Sequence, residues 1–140
     1  MKRTILLITA TVLISLSSCI SLDYGEGISG NGNVITRTLD IDGFRGVQTS
    51  SGIDVYLSQA DDYSVELEAD ENLHDHIIVE RRGDMLYIGT EHSIYRAKSR
   101  KVIVEMPVLE ALKISSAGDI KGETPFEVEE LEIDISSAGD

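Results

Sequence analysis

A chain of 140 residues that carries 25 acids against 12 bases, a formal net charge of −13, repels phosphate backbones and anionic headgroups. That argues against nucleic-acid binding through a basic surface. An apolar content of 41% is too high for a disordered chain and suits a single domain. With two phenylalanines and no tryptophan, its core has to be built mainly of Ile, Val and Leu.

The chain opens on a processing signal. Lys2 and Arg3 precede an apolar stretch at residues 5–16, followed by Ser17, Ser18 and Cys19. A basic head, a short greasy segment and small residues before a cut site make a secretory signal. An apolar run of roughly 10 to 14 residues is too short to span a bilayer. Leu16-Ser17-Ser18-Cys19 resembles the bacterial lipoprotein motif, whose cysteine is acylated and becomes the first mature residue. The resemblance makes residues 1–18 the signal peptide and Cys19 the lipidation site. Loss of Lys2 and Arg3 would take the net charge from −13 to −15. With one cysteine in the chain, no intrachain disulfide can form. Acyl chains contribute about 0.8 kcal/mol per buried methylene, so such a protein is anchored to a membrane rather than threaded through it.

Residues 19–33 are rich in Gly, Ser and Asn and read as a flexible tether. Strand signals follow. Val55-Tyr56-Leu57 and the strictly alternating Val65, Leu67 and Ala69 flank Asp61-Asp62, a hairpin in prospect. Glu66, Glu68 and Asp70 fall on the opposite, polar face of that alternation. Residues 72–76 are the place for a short helical turn, with Asp70 or Asn72 as its cap. Ile77-Ile78-Val79 and Met85-Leu86-Tyr87-Ile88 flank Arg82-Gly83-Asp84, a second hairpin. A strand at 101–106 is closed by Pro107.

Beyond Pro107 the sequence repeats. Ile114-Ser115-Ser116-Ala117-Gly118-Asp119 returns unchanged as Ile135-Ser136-Ser137-Ala138-Gly139-Asp140. A fixed period of roughly 20 to 50 residues points to stacked supersecondary units. Alternation in Leu131, Ile133 and Ile135 marks a half-buried strand, and Ser-Ser-Ala-Gly-Asp supplies a corner. Stacking predicts Leu112 above Ile133 and Ile114 above Ile135. Residues 49–55, Thr-Ser-Ser-Gly-Ile-Asp-Val, are a looser echo of the same corner.

Gly30-Asn31-Gly32-Asn33-Val34, Phe44, Val47 and residues 51–57 resemble the opening of the auto-transporter adhesin head GIN domain family. Residues 65–73 and the two Ser-Ser-Ala-Gly-Asp corners fit its later segments. This family, of unknown function, is common in Bacteroidetes envelope proteins. The resemblance implies an all-β, right-handed parallel β-helix or β-solenoid domain at 34–140, with an irregular and partly antiparallel N-terminal half. It also implies further coils after Asp140, so the chain reads as the front of a longer solenoid.

Chemical candidates are few. Asp119 above Asp140, with Asp54 nearby, forms a carboxylate column; calcium wants six to eight oxygens, and turn aspartates commonly satisfy backbone groups instead. His74-Asp75-His76 with His92 brings imidazoles for zinc, which needs three or four ligands, but a solvated loop is the commoner outcome. Ser50, Ser51, Ser115 and Ser116 lie in turns without a marked base. Arg82-Gly83-Asp84 suits a turn better than integrin recognition. The Gly-rich residues 25–32 do not follow a strand, as a phosphate loop would. No residue is therefore assigned to catalysis, a cofactor or a metal. The expectation is a lipid-anchored outer-membrane module, periplasmic or surface-exposed, that binds glycan or envelope or host protein without catalysis. The alternatives are a polysaccharide lyase or glycoside hydrolase on a β-helix scaffold, where abundant carboxylates could supply an acid–base pair, or a structural or signalling-accessory lipoprotein.

Overall fold

A computed structural model describes residues 27–136. In chain order its strands are β1 (Ile28–Ser29), β2 (Val34–Leu39), β3 (Gly46–Thr49), β4 (Asp54–Gln59), β5 (Ser64–Asp70), β6 (Ile77–Arg82), β7 (Met85–Thr90), β8 (Ile94–Arg96), β9 (Arg100–Met106), β10 (Ala111–Ser115), β11 (Ile120–Gly122) and β12 (Glu132–Ser136). A single 3₁₀ turn, Glu71–Leu73, follows β5. One five-stranded sheet runs β12-β10-β3-β7-β6, the other β11-β4-β9-β5-β2, and β1 pairs with β8. Both large sheets are mixed: β12, β10, β3 and β7 are mutually parallel, as are β11, β4 and β9, while β6, β5 and β2 run antiparallel to their neighbours. No helix among the described residues is long and apolar enough to cross a membrane.

The core lies between the two sheets and is aliphatic, as the composition requires. Strand alternation sends Val55, Leu57, Val65, Leu67, Val102 and Val104 inward from one sheet, and Val47, Leu86, Ile88 and Ile114 from the other. Pairing registers turn these residues into rows. Ile120, Val55, Val102 and Leu67 follow one another across β11, β4, β9 and β5. Ile133, Leu112, Val47 and Leu86 do the same across β12, β10, β3 and β7. The predicted stacking of Leu112 on Ile133 and Ile114 on Ile135 is thus present in parallel register. Phe44, fully buried, closes one end of the core. It meets the Tyr63 ring edge-on at 4.9 Å, and the Tyr63 hydroxyl donates to the Phe44 carbonyl at 2.9 Å.

The hairpin at Gly83-Asp84 forms as expected, with Arg82 opposite Met85. Gly83 takes φ +61° at the first central position, where a II′ turn requires it. The hairpin expected around Asp61-Asp62 does not form. β9 lies between β4 and β5, parallel to the first and antiparallel to the second. Val102, Val104 and Met106 give β9 a fully buried row, so each neighbour gains more by extending the ladder through it than by pairing directly. Residues 60–63 then bridge two inter-strand spacings, about 9.6 Å, a span no two-residue turn covers. β9 ends at Pro107, which has no N–H to continue the ladder.

Residues 30–33, read above as the end of the tether, are hydrogen-bonded into the domain. Asp70, fully buried, is the centre of this attachment. Its Oδ2 accepts the Gly32 N–H at 2.8 Å, and its Oδ1 accepts those of Lys98 and Ser99 at 2.9 and 3.0 Å. A Cβ at Gly30 would stand 2.0 Å from that Oδ2, so the close approach demands glycine. Asn72 adds two ties, accepting from the Asn31 N–H and donating to the Ser29 carbonyl. Asp70 is therefore neither on a polar face nor a side-chain cap. It sits at the N-cap position of the 3₁₀ turn but makes no cap bond, because more distant donors occupy its carboxylate.

Candidate functional site

The corner after β3 and the corner after β10 lie side by side. Thr49 is paired with Ile114 where the corners begin, and Val55 with Ile120 where they end, so the two are equal in length. Ser51 and Ser116 hold the same left-handed conformation, φ 63° and 64°. A Cβ on Gly118 would meet the Ile53 carbonyl oxygen at 2.9 Å, which explains glycine at the point where the corners touch. Buried Thr49 breaks the aliphatic row and satisfies its hydroxyl by donating to that same Ile53 carbonyl at 3.0 Å.

Beside these corners lies a cleft of about 480 Å³ whose lining includes Ser51, Gly52, Glu91, His92, Arg100 and Ser116. The Arg100 guanidinium donates to the Ile94 carbonyl at 3.2 Å, which orients this lining cation. The arrangement offers hydroxyls, one guanidinium, one imidazole and one carboxylate, a set that recognises polar ligands through hydrogen bonds. A second, less open groove of about 750 Å³ runs past Arg45, Val108, Glu110, Val128, Glu130 and Glu132. Arg45 is paired there with Glu110.

The histidines part company. His74 is not in a solvated loop but buried, its Nε2 3.1 Å from the Ile35 carbonyl and 3.2 Å from that of Ala69. Two carbonyl acceptors assign the proton to Nε2, and the buried Nδ1 has no partner. His76 instead faces His92, their rings 5.7 Å apart and inclined at 64°. Glu91 completes this cluster: one ligand atom from each of the three residues lies within 4.8 Å of the others. Glu91 was missed from the sequence, although the hairpin signal held it. Counting back from the Gly83-Asp84 turn pairs Ile77 with Thr90, and the next rung carries the Glu91 N–H to the His76 carbonyl at 3.1 Å.

The remaining candidates are placed as follows. The register sets Asp119 beside Asp54, and beside Asp54 on its other flank stands Lys101, so a cation adjoins the carboxylate column. Cys19 and Asp140 lie outside the described residues. Ser50 donates to the Ile88 carbonyl on neighbouring β7 and accepts from the Ser51 hydroxyl. In the Arg82-Gly83-Asp84 turn, Arg82 is held by Glu80 at 2.7 Å and lies 3.5 Å over the Tyr87 ring, while the Asp84 carbonyl accepts from Arg45 and Gly46.

Comparison with known proteins adds a family and a set of folds. The family model described as "Putative auto-transporter adhesin, head GIN domain" matches residues 43–140. A "putative adhesin" from Parabacteroides merdae is similar with a TM-score of 0.70 and 23% identity, over 79% of this chain and 47% of its own. A "putative lipid binding protein" from Parabacteroides distasonis gives 0.71 and 24%, over 79% and 49%. A "putative adhesin" from Bacteroides fragilis gives 0.74 and 19%, over 81% and 54%. At these identities the likeness is one of fold, and the chain spans about half the length of these structures. No curated protein matches.

Proposed function

The chain belongs to the auto-transporter adhesin head GIN domain family, and from that premise we propose that it is a non-catalytic binding module of the cell envelope. The family match over residues 43–140 is the observation that carries this reading. Solved neighbours named as adhesins support it. The stacked corners and the polar cleft beside them are the surface we assign to a glycan or protein partner. Lipid on Cys19 would hold the module at the outer membrane. The architecture that suits this role is a right-handed β-helix. In-register stacking of 46–57 on 111–122, with β12 one repeat further on, supports it.

Two measurements test the proposal. Metabolic labelling with an alkynyl fatty acid should mark the wild-type chain and not Cys19→Ser; equal labelling removes the anchor. The purified chain should bind members of a glycan panel, or cross-link to a protein in native membranes, and substitution of Arg100 in the cleft should weaken that binding. No partner in either assay, or binding indifferent to Arg100→Ala, would overturn the reading.

A further inference from the structure

We propose that His76, Glu91 and His92 form a zinc site at the open end of the β6–β7 hairpin. The backbone prepares it. Antiparallel pairing from the Gly83-Asp84 turn to Ile77 and Thr90 fixes the two strand ends. The Glu91 N–H to His76 carbonyl bond at 3.1 Å then sets the first two ligands on one rung, where cross-strand side chains lie about 4.5–5.5 Å apart at Cβ. His92 follows directly and turns its ring toward His76.

The spacing suits a small ion. Zinc bonds of about 2.0–2.2 Å put the ligand atoms of a tetrahedral site roughly 3.3 Å apart. Here they lie within 4.8 Å of one another, so a modest rotation of two exposed side chains closes the site around the half-buried His76. Two imidazoles and one carboxylate are the donor set of three-ligand zinc sites, which keep a fourth position open. Imidazole nitrogen selects against calcium and magnesium, which take oxygen ligands. A net charge of −13 raises the local cation concentration around the whole molecule. Glu91 and His92 also line the 480 Å³ cleft, so the bound ion sits at its rim, its open position available to water or to an oxygen donor of an incoming ligand. The site stands independently of the partner-binding reading above.

The test is calorimetric titration of the full chain, purified without a polyhistidine tag, with zinc chloride. Cobalt(II) absorption serves as a second, spectroscopic readout. One ion per chain is expected, with ligand-field bands of a four-coordinate cobalt site. His92→Ala and Glu91→Gln, both at exposed positions, should each weaken zinc binding about 10-fold or more, with the circular dichroism unchanged. Asp75→Asn, adjacent to His76 but outside the cluster, should leave the affinity as it is. Absence of zinc binding by the wild-type chain overturns the proposal, as does binding that survives both His92→Ala and Glu91→Gln.

Discussion

The Asp70→Asn substitution isolates the interaction that ties the N-terminal segment to the domain. Wild-type Asp70 accepts three backbone N–H groups, from Gly32, Lys98 and Ser99. Hydrogen bonds to a charged group contribute about 1.5–3 kcal/mol each, but two of these share one oxygen, and Gly32 and Lys98 are exposed, so water recovers part of the loss. Asparagine keeps one carbonyl for Lys98 and Ser99 and turns an amide donor toward the Gly32 donor. The expected cost is about 3 kcal/mol, a large share of a typical stability of about 5–15 kcal/mol. Burial pushes the Asp70 carboxyl up, but the backbone N–H groups of Ser99, Gly32 and Lys98, with the Lys98 charge, more than reverse it, so it titrates below its ordinary value of 3.8. A depressed carboxyl contributes its stability above the unfolded-state value and loses it as pH falls through the folded one. Urea unfolding followed by circular dichroism should therefore show the variant's midpoint roughly 1–2 M lower at pH 7, with the gap constant down to about pH 5 and closing below about pH 4. A midpoint unchanged at pH 7, or a gap as wide at pH 3 as at pH 7, would refute the reasoning.

The repeat offers an internal control: Ile114 is 4% exposed and Ile135 is 52% exposed, so Ile114→Ala should cost about 2–5 kcal/mol and Ile135→Ala under about 1 kcal/mol, both read from urea midpoints. Gly118→Ala should destabilise by about 1–3 kcal/mol, because its Cβ meets the Ile53 carbonyl at 2.9 Å; Ala117→Gly beside it, at an exposed position, should change the midpoint far less. Phe44→Ala should cost about 3–5 kcal/mol and alter the tyrosine fluorescence, since Tyr63 packs on that ring.

What the sequence disclosed depended on the range of each signal. Period-2 alternation in 64–70 and the glycine of the 83–84 turn are local, and both led to the observed elements. The in-register stack of β10 on β12 was legible because identical hexads occupy identical surroundings. The insertion of β9 between β4 and β5 was not legible, because nothing in Asp61-Asp62 reports a strand forty residues away. Asp70 failed for the same reason: its donors come from Gly32 and Lys98-Ser99, and an alternating pattern assigns it only a face. His74 and His76 read alike in sequence. The chain turns between them, so one ring enters the core beneath Ile35 while the other faces His92.

The same repeat that builds the ladder gives β12 an alternating surface, and the residues between the two hexads add to it. Among the described residues β12 is the outer strand of its sheet, and Ile133 and Ile135 on it are more than half exposed. Between Phe126 and Ile135 the chain places Glu127, Glu129, Glu130, Glu132 and Asp134. Parallel register sets Asp134 beside Lys113 and Ile133 beside Leu112, so charge and apolar surface alternate along the exposed edge. A strand added to β12 in the same parallel register would set its apolar residues beside Ile133 and Ile135, and an acid opposite Asp134 would be destabilising. A strand carrying a base at that position, as β10 carries Lys113, would extend the ladder on the terms already seen between β10 and β12.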